Sequence, residues 1–196
     1  VTVTVPVVYG PCGVAVTPDG KKVYVANSGS NTISVIDTAK NEIIDTIYLE
    51  NFDGTPYGGA ASPDGKKVYM LDGDQSGKYV LVIDTAKNKV IDRVFTGGSE
   101  AGEVAVSPDG SKLYVTMIVE DCLDIIDIDT DNVTASVPVG CQPDGISVSS
   151  DGKKVYVANY WDNTTSVIDT ATNIVIATVN VGTWPQGVTV NPAGTK

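Results

Sequence analysis

The sequence has no histidine and a single arginine, Arg93. Without an imidazole the chain cannot supply a Ser-His-Asp or Cys-His nucleophile system, a histidine-ligated zinc or copper ion, or an axial histidine for haem. We therefore expect no cofactor, and the composition favours a protein that is not an enzyme.

Positive charge is also scarce, because 13 Lys and Arg stand against 24 Asp and Glu and give a net charge of −11 over 196 residues. Nucleic-acid binding depends on basic side chains that neutralise phosphates, so we do not expect a nucleic-acid partner. No apolar run approaches the 18 or so residues of a membrane helix, and no basic segment followed by an apolar block opens the chain at Val1. We expect a mature or excised segment without a membrane span.

What the chain does have is an internal repeat with a turn of Ser or Thr, Pro, Asp and Gly at its centre. The glycines of successive turns are 45, 45, 42 and 42 residues apart, and a lysine and a Tyr-containing apolar run follow each of the first four. The copies are Thr17–Gly20, Ser62–Gly65, Ser107–Gly110, the variant Ser149–Gly152, and a weaker copy at Asn191–Gly194. A period of this length decides the architecture.

Each repeat contains four short runs rich in β-branched residues and Tyr, separated by Gly, Pro, Asn and Asp. This spacing predicts strands, here called A to D in chain order, and no window shows the 3.6-residue period of an α-helix. The Pro-Asp-Gly turn joins A to B. Tandem four-stranded units are typical of propeller blades, so we predict an all-β propeller of antiparallel blades.

The repeat resembles a known family. Val23–Asn27 and Val155–Asn159, together with Ile33–Thr38 and Thr178–Gly182, look like the YVTN-type β-propeller repeat. The resemblance implies cell-surface or exported proteins, including archaeal surface-layer proteins, and a ring of seven blades. It does not imply an enzyme, because a fold alone carries no function.

The ends of the chain do not complete a ring on this reading. Four complete blades are flanked by one strand D and one strand A, which indicates a piece of a longer propeller or closure by another chain. The predicted parts are 1–9 (strand D of a preceding blade), 10–54, 55–98, 99–140 and 141–182 (the blades), and 183–196 (strand A of a following blade).

Unusual residues collect in the D–A and B–C loops, which lie on one face of a propeller. As possible ligand or partner contacts we single out Cys12, Tyr57, Asp144, Tyr160, Trp161 and Trp184. The alternative is that the aromatic rings only cover strand ends. Glu103 and Asp144 could serve a site in the channel, although no base pairs with them in the sequence.

The three cysteines share no metal-binding spacing. Cys122 begins strand C of the third blade and Cys141 lies just past the end of strand D, so antiparallel pairing suggests a disulfide between them and an oxidising compartment. Cys12 would then be a buried small residue or an intermolecular thiol.

Two further patterns lie in predicted surface turns. Asp127, Asp129 and Asp131 resemble part of a calcium loop, but the Gly and bidentate Glu of such a loop are missing, and Asp127 has turn counterparts at Asp37, Asp84 and Asp169. We therefore predict a turn role and no metal. Asn132 and Asn163 begin Asn-x-Thr sequons on surface turns, which are glycosylation candidates in an exported protein.

Together these features favour a non-catalytic extracellular or cell-surface module that binds a protein or cell-envelope partner, with self-assembly as one form of that role. The alternative is an exported propeller enzyme or subunit, of the lactonase or amine-dehydrogenase type, that binds a small molecule or a cofactor-bearing chain at the channel mouth.

Overall fold

The computed structural model describes residues 3–49, 54–73 and 79–191, and it is built from β-strands. Within these ranges there are sixteen strands and no α-helix, and one 3₁₀ turn covers Ser28–Ser30. The strands form four antiparallel sheets of four, with the strands of each sheet side by side in chain order. The predicted all-β propeller class is confirmed.

The first sheet contains β1 (Pro11–Val16), β2 (Lys22–Asn27), β3 (Thr32–Asp37) and β4 (Glu42–Tyr48), and the second β5 (Thr55–Ala61), β6 (Lys67–Gly73), β7 (Tyr79–Asp84) and β8 (Lys89–Phe95). The third contains β9 (Ala101–Val106), β10 (Lys112–Met117), β11 (Cys122–Asp127) and β12 (Asn132–Pro138), and the fourth β13 (Pro143–Val148), β14 (Lys154–Asn159), β15 (Thr164–Asp169) and β16 (Ile174–Asn180). The chain divides into two compact units, unit 1 (Val1–Val94) and unit 2 (Phe95–Lys196).

The hairpin between the first and second strand of each sheet repeats one set of hydrogen bonds. In the first sheet the Gly20 N–H donates to Thr17 O at 2.8 Å, while Asp19 Oδ1 accepts the Thr17 hydroxyl at 2.8 Å and the Lys21 N–H at 3.0 Å. Gly20 has a φ of 69°, a left-handed conformation that a side chain would strain. The equivalent glycines, Gly65, Gly110 and Gly152, also have positive φ. The predicted Pro-Asp-Gly turn is confirmed.

The turn between the third and fourth strand is equally regular. Asp127 ends β11 and its Oδ1 accepts the Thr130 N–H at 3.0 Å, while Asp131 adopts a left-handed φ of 55°. The same acceptor role is filled by Asp37, Asp84 and Asp169. The predicted turn role of these aspartates is confirmed.

The core of each unit lies between its two sheets. In unit 1 the buried residues include Tyr24, Ile33, Val35, Ile47 and Leu49 of the first sheet and Val68, Met70, Leu81 and Ile83 of the second. In unit 2 they include Tyr114, Leu123, Ile125 and Val137 of the third sheet and Ile146, Val155, Val157 and Ile168 of the fourth. Burying apolar side chains on both sheets is what lets a four-stranded sheet, marginal alone, become stable.

The fourth sheet leaves the equivalent face uncovered. Ile47 pairs with Ile33, Val137 with Leu123 and Val179 with Thr165, so Ile47, Val137 and Val179 occupy the same register position on the outer strand. Ile47 is 7% exposed and Val137 is 4% exposed, whereas Val179 is 49% exposed. The second sheet covers Ile47 and the fourth sheet covers Val137, but among the described residues no sheet covers Val179.

The segments outside the sheets bear on the predicted partial blades. Neither 3–9 nor 183–191 forms a strand, while 1–2 and 192–196 lie outside the described residues. Part of segment 183–191 nevertheless runs beside β13. The Val190 N–H donates to Ser147 Oγ at 3.1 Å, and Gly145 packs so closely on the segment that an added Cβ would lie 2.5 Å from Gln186 O. The partial blades, the blade boundaries and the count of seven stay predictions.

Candidate ligand-contact site

Two loops of unit 2 are built by the same device. Asp121, in the turn between β10 and β11, accepts the Gln142 N–H through Oδ1 at 2.8 Å, and Asn163, in the turn between β14 and β15, accepts the Trp184 N–H through Oδ1 at 2.8 Å. Both acceptors have left-handed backbones, with φ of 52° and 55°. Each side chain thus ties a loop that leaves the sheet to the turn beside it.

Trp184 is held in a strained backbone conformation. Its φ is 55° and that of Gln142 is 50°, and both residues directly precede a proline. In unit 1 the residue before Pro11 is Gly10, with a φ of 74°. Glycine adopts this region without cost, whereas a bulky side chain there is strained. The Asn163 hydrogen bond helps to hold Trp184 in place against that strain.

Three aromatic rings meet at this end of unit 2. The ring centroids of Tyr160 and Trp161 are 5.3 Å apart at 86°, and those of Tyr160 and Trp184 are 6.4 Å apart at 16°. Trp161 is 54% exposed and Trp184 is 61% exposed, with Tyr160 half-buried between them. The Tyr160 N–H donates to Gln142 O at 3.0 Å, which fixes the turn that carries the rings. The cluster presents a broad aromatic surface to solvent.

A small cleft adjoins the rings. It has a volume of about 210 Å³ and is lined by Ile118, Gln142, Asp144, Tyr160 and Gln186. Its polar groups are two amides, one carboxyl and one phenol, which can accept and donate hydrogen bonds. Larger clefts lie between the Pro-Asp-Gly hairpins, but they recur in unit 1 and unit 2 at equivalent residues, so they belong to the repeat.

Two carboxyl groups stand on neighbouring inner strands of unit 2. Burial raises the pKa of Asp144, and burial together with the nearby Asp144 charge raises the pKa of Glu103, although the Ile146 N–H that donates to Glu103 Oε2 at 2.9 Å opposes the shift. The Thr116 hydroxyl joins the strands, because it donates to Asp144 O at 2.7 Å and accepts the Glu103 N–H at 2.8 Å.

The structure thus brings four of the predicted contact residues to one end of unit 2: Asp144, Tyr160, Trp161 and Trp184. The other two lie in unit 1. Tyr57 is half-buried on β5, and its ring packs against Gly73 so closely that a side chain at position 73 would clash with it. Cys12 is exposed, with its Sγ 3.4 Å from Pro56 O. Of its two predicted roles the buried small residue is wrong, and the intermolecular thiol stays a prediction. Alignment of the repeats could have found the other two polar residues of the cleft. Gln142 precedes Pro143 as Trp184 precedes Pro185, and Gln186 follows Pro185 as Asp144 follows Pro143.

The predicted disulfide is not formed, since Cys122 and Cys141 are free thiols. Cys122 lies opposite Pro138, but the Cys141 N–H donates to Asp162 at 2.8 Å, so the chain has already left the edge of the third sheet for a turn of the fourth. Burial raises the pKa of Cys122 to about 12, and the charge of Asp124 adds to the effect. Burial and the charges of Asp121 and Asp162 also raise the pKa of Cys141.

The remaining candidates are surface features. Asp127 ends β11, and Asp129 and Asp131 lie in the turn that follows. No group of three metal-ligating side chains occurs among the residues that the structure describes. Asn132 is exposed at the start of β12. Asn163 is half-buried and its carbonyl oxygen is engaged by Trp184. Glycosylation at either sequon stays a prediction.

Four tandem four-stranded antiparallel sheets define a β-propeller protein, and exposed loop aromatics gather at one end of the strands of unit 2. A more specific assignment comes from the profile of the YNCE-like beta-propeller family, which matches residues 65–194. The chain belongs to this family. The match is consistent with the resemblance to YVTN-type repeats, while a surface-layer role stays a prediction.

Two solved structures share the fold. Hydrazine synthase from Kuenenia stuttgartiensis superposes with a TM-score of 0.69 at 20% identity, covering 98% of this chain and 81% of that one. A protein of unknown function from Desulfotomaculum acetoxidans DSM 771 superposes with a TM-score of 0.85 at 20% identity, covering 96% of this chain, which spans 62% of that protein. At this identity the likeness shows the fold alone. A search of curated proteins found no match.

The described part of the chain contains no helix of the length and apolar character needed to cross a membrane.

Proposed function

We propose that the protein is a non-catalytic, extracellular or cell-surface interaction module that binds a protein partner of the cell envelope. Its contact surface is the loop patch, defined as Gln142, Asp144, Tyr160, Trp161, Trp184 and Gln186. The observation that carries the proposal is the gathering of two exposed tryptophans around Tyr160 on loops held by hydrogen bonds. Large aromatic side chains with exposed faces are typical of the centres of protein interfaces.

The chemistry of the patch supports binding more than catalysis. A catalytic nucleophile needs a base within hydrogen-bond reach, and the chain has no histidine, the side chain that most often fills this role. The cleft offers a carboxyl, a phenol and two amides, which suit recognition. The left-handed backbone before proline is shared by Gln142 and Trp184 and belongs to the repeated loop, and at Trp184 this loop carries an exposed ring.

An extracellular location agrees with the resemblance to exported YVTN-type propellers and with the exposed sequon at Asn132. Protease treatment of intact cells should remove the protein without touching a cytoplasmic marker. Survival of the protein until the cells are lysed would contradict the location.

The partner surface is tested by co-sedimentation of the purified chain with washed envelopes of its source organism. Trp161→Ala with Trp184→Ala should abolish saturable binding, because the variant removes both exposed rings. Tyr48→Ala, which removes an exposed ring from β4 of unit 1, is the matched control and should bind like the wild type. Equal sedimentation of all three proteins would refute the proposed surface.

The cleft favours a second candidate, an exported enzyme or subunit that takes a small molecule there. A thermal-shift screen with lactones and small amines tests it: stabilisation that Asp144→Asn removes would support this candidate. An absence of any shift would oppose it.

A further inference from the structure

We propose that the loop patch recognises lysine side chains, so that the partner presents a basic, lysine-containing segment to it. This inference rests on the proposed function and specifies the partner chemistry of the same surface. Its basis is the combination of an aromatic cluster, a cleft of limited size and a charge distribution of one sign.

The size of the cleft selects the kind of group that enters it. Sites for small-molecule ligands and cofactors usually enclose about 300 to 1,000 Å³. The cleft beside Tyr160 has a volume of about 210 Å³. It therefore suits one extended side chain, while the surrounding rings contact the rest of the segment.

The charge distribution selects the sign of that group. At this end of unit 2 seven carboxyl groups occur and no described lysine or arginine does: Glu100, Glu103, Glu120, Asp121, Asp124, Asp144 and Asp162. The described lysines of unit 2, Lys112, Lys153 and Lys154, all lie at the Pro-Asp-Gly hairpins, at the opposite ends of the strands. An anionic ligand would be repelled from the patch, and a cationic one would be attracted to it.

The aromatic rings complete the site for an ammonium group. Tyr160 lines the cleft and stacks with Trp184, and the outer face of an aromatic ring attracts a cation that lies within about 6 Å of the ring centroid. The aliphatic stem of a lysine packs on apolar surface while its ammonium reaches a carboxylate. In the cleft, Ile118 offers the apolar surface and Asp144 the carboxylate. The patch thus matches both halves of a lysine side chain.

The test measures binding of a Gly-Lys repeat peptide to the full 196-residue chain by calorimetry. The peptide should bind saturably, and its affinity should fall as ionic strength rises, because exposed charges are screened. The same peptide acetylated on its lysines should not bind. Asp144→Asn should weaken binding about fivefold. Trp184→Ala should weaken it roughly threefold, whereas Trp184→Phe, which keeps a ring, should weaken it less.

Two variants in the same unit serve as matched controls. Asp129→Asn removes an exposed carboxylate at the opposite end, and Ile176→Ala removes an exposed apolar side chain from β16. Both should bind the peptide like the wild type, and unchanged thermal unfolding should accompany every variant compared. Equal binding of the acetylated peptide, or an equal loss in Asp129→Asn, would overturn the inference. Butylamine binding as tightly as the peptide would overturn the assignment of a protein segment.

Failure of this inference differs from failure of the proposed function. If envelope binding requires Trp161 and Trp184 while the lysine peptide does not bind, the partner surface stands and its lysine chemistry is wrong. If neither the envelopes nor the peptide bind, both are wrong.

Discussion

The buried and exposed copies of one outer-strand position offer a matched test of how the sheets stabilise each other. Val137 and Val179 are the same residue type, occupy the same register position, and belong to the same unit. They differ in burial, at 4% and 49% exposure. Replacing either valine with Ala changes the strand propensity to a similar extent. The difference between the two losses in unfolding free energy therefore measures how much the sheet that covers Val137 contributes.

The magnitude follows from the apolar surface that is lost. At about 0.8 kcal/mol for each buried methylene, with a further contribution from the cavity, Val137→Ala should lower the free energy of unfolding by about 2 kcal/mol. Val179 is half exposed and its truncation leaves no closed cavity, so Val179→Ala should cost about 0.8 kcal/mol or less. The two melting temperatures should differ by roughly 2 to 5 °C.

Urea unfolding followed by tryptophan fluorescence measures both variants, because Trp161 and Trp184 lie in the same unit. The comparison uses the midpoint shift at constant slope. An equal loss of stability in the two variants would refute the reasoning, since it would mean that Val179 is covered in solution as Val137 is.

Three further predictions concern turns, acid and thiols. Gly20→Ala should lower the unfolding free energy by about 1 kcal/mol from its left-handed φ alone, while Gly182→Ala, which also meets no atom but has no positive φ, should be near neutral in the same urea assay. The Lys21 N–H lowers the pKa of Asp19 to about 2, so the ionised Asp19 side chain stabilises the fold fully above pH 4 and progressively less as the pH falls towards 2. Asp19→Asn should flatten the plot of unfolding free energy against pH between pH 4 and pH 2. An unchanged plot would contradict the turn role. A thiol reagent should label all three cysteines after denaturation without reductant, with Cys12 reacting faster than Cys122 in the folded protein; a single reactive thiol would contradict the free cysteines.

The repeated hairpins were predictable because each depends on residues a few positions apart. Pro, Asp and Gly set the backbone and its hydrogen bonds locally, so the sequence pattern predicted both the turns and the strands around Gly20 and its counterparts. The aspartate that ends each third strand was predicted for the same reason.

The loops between sheets were harder to predict because their geometry depends on distant partners. Gln142 is oriented by Asp121 and Cys141 by Asp162, each 21 residues away. Strand pairing alone placed Cys141 near Cys122, but the bond to Asp162 directs Cys141 to the fourth sheet, while the bond to Asp121 ties Gln142 to the third. The bond to Asp121 also fixes Gln142, which lines the cleft, and this position could be found only by aligning the repeats and not from the strand pattern.

The separation of charge in unit 2 has a consequence for how the molecule approaches a partner. Among the residues of unit 2 that the structure describes, one end of the strands has acidic but no basic side chains, while lysines offset part of the negative charge at the other. The unit is therefore an electric dipole, and the field of a positively charged surface exerts a torque on it before any atoms touch. The end that carries the tryptophans would turn towards such a surface first. A larger share of collisions would then be productive than if the molecule approached in random orientations.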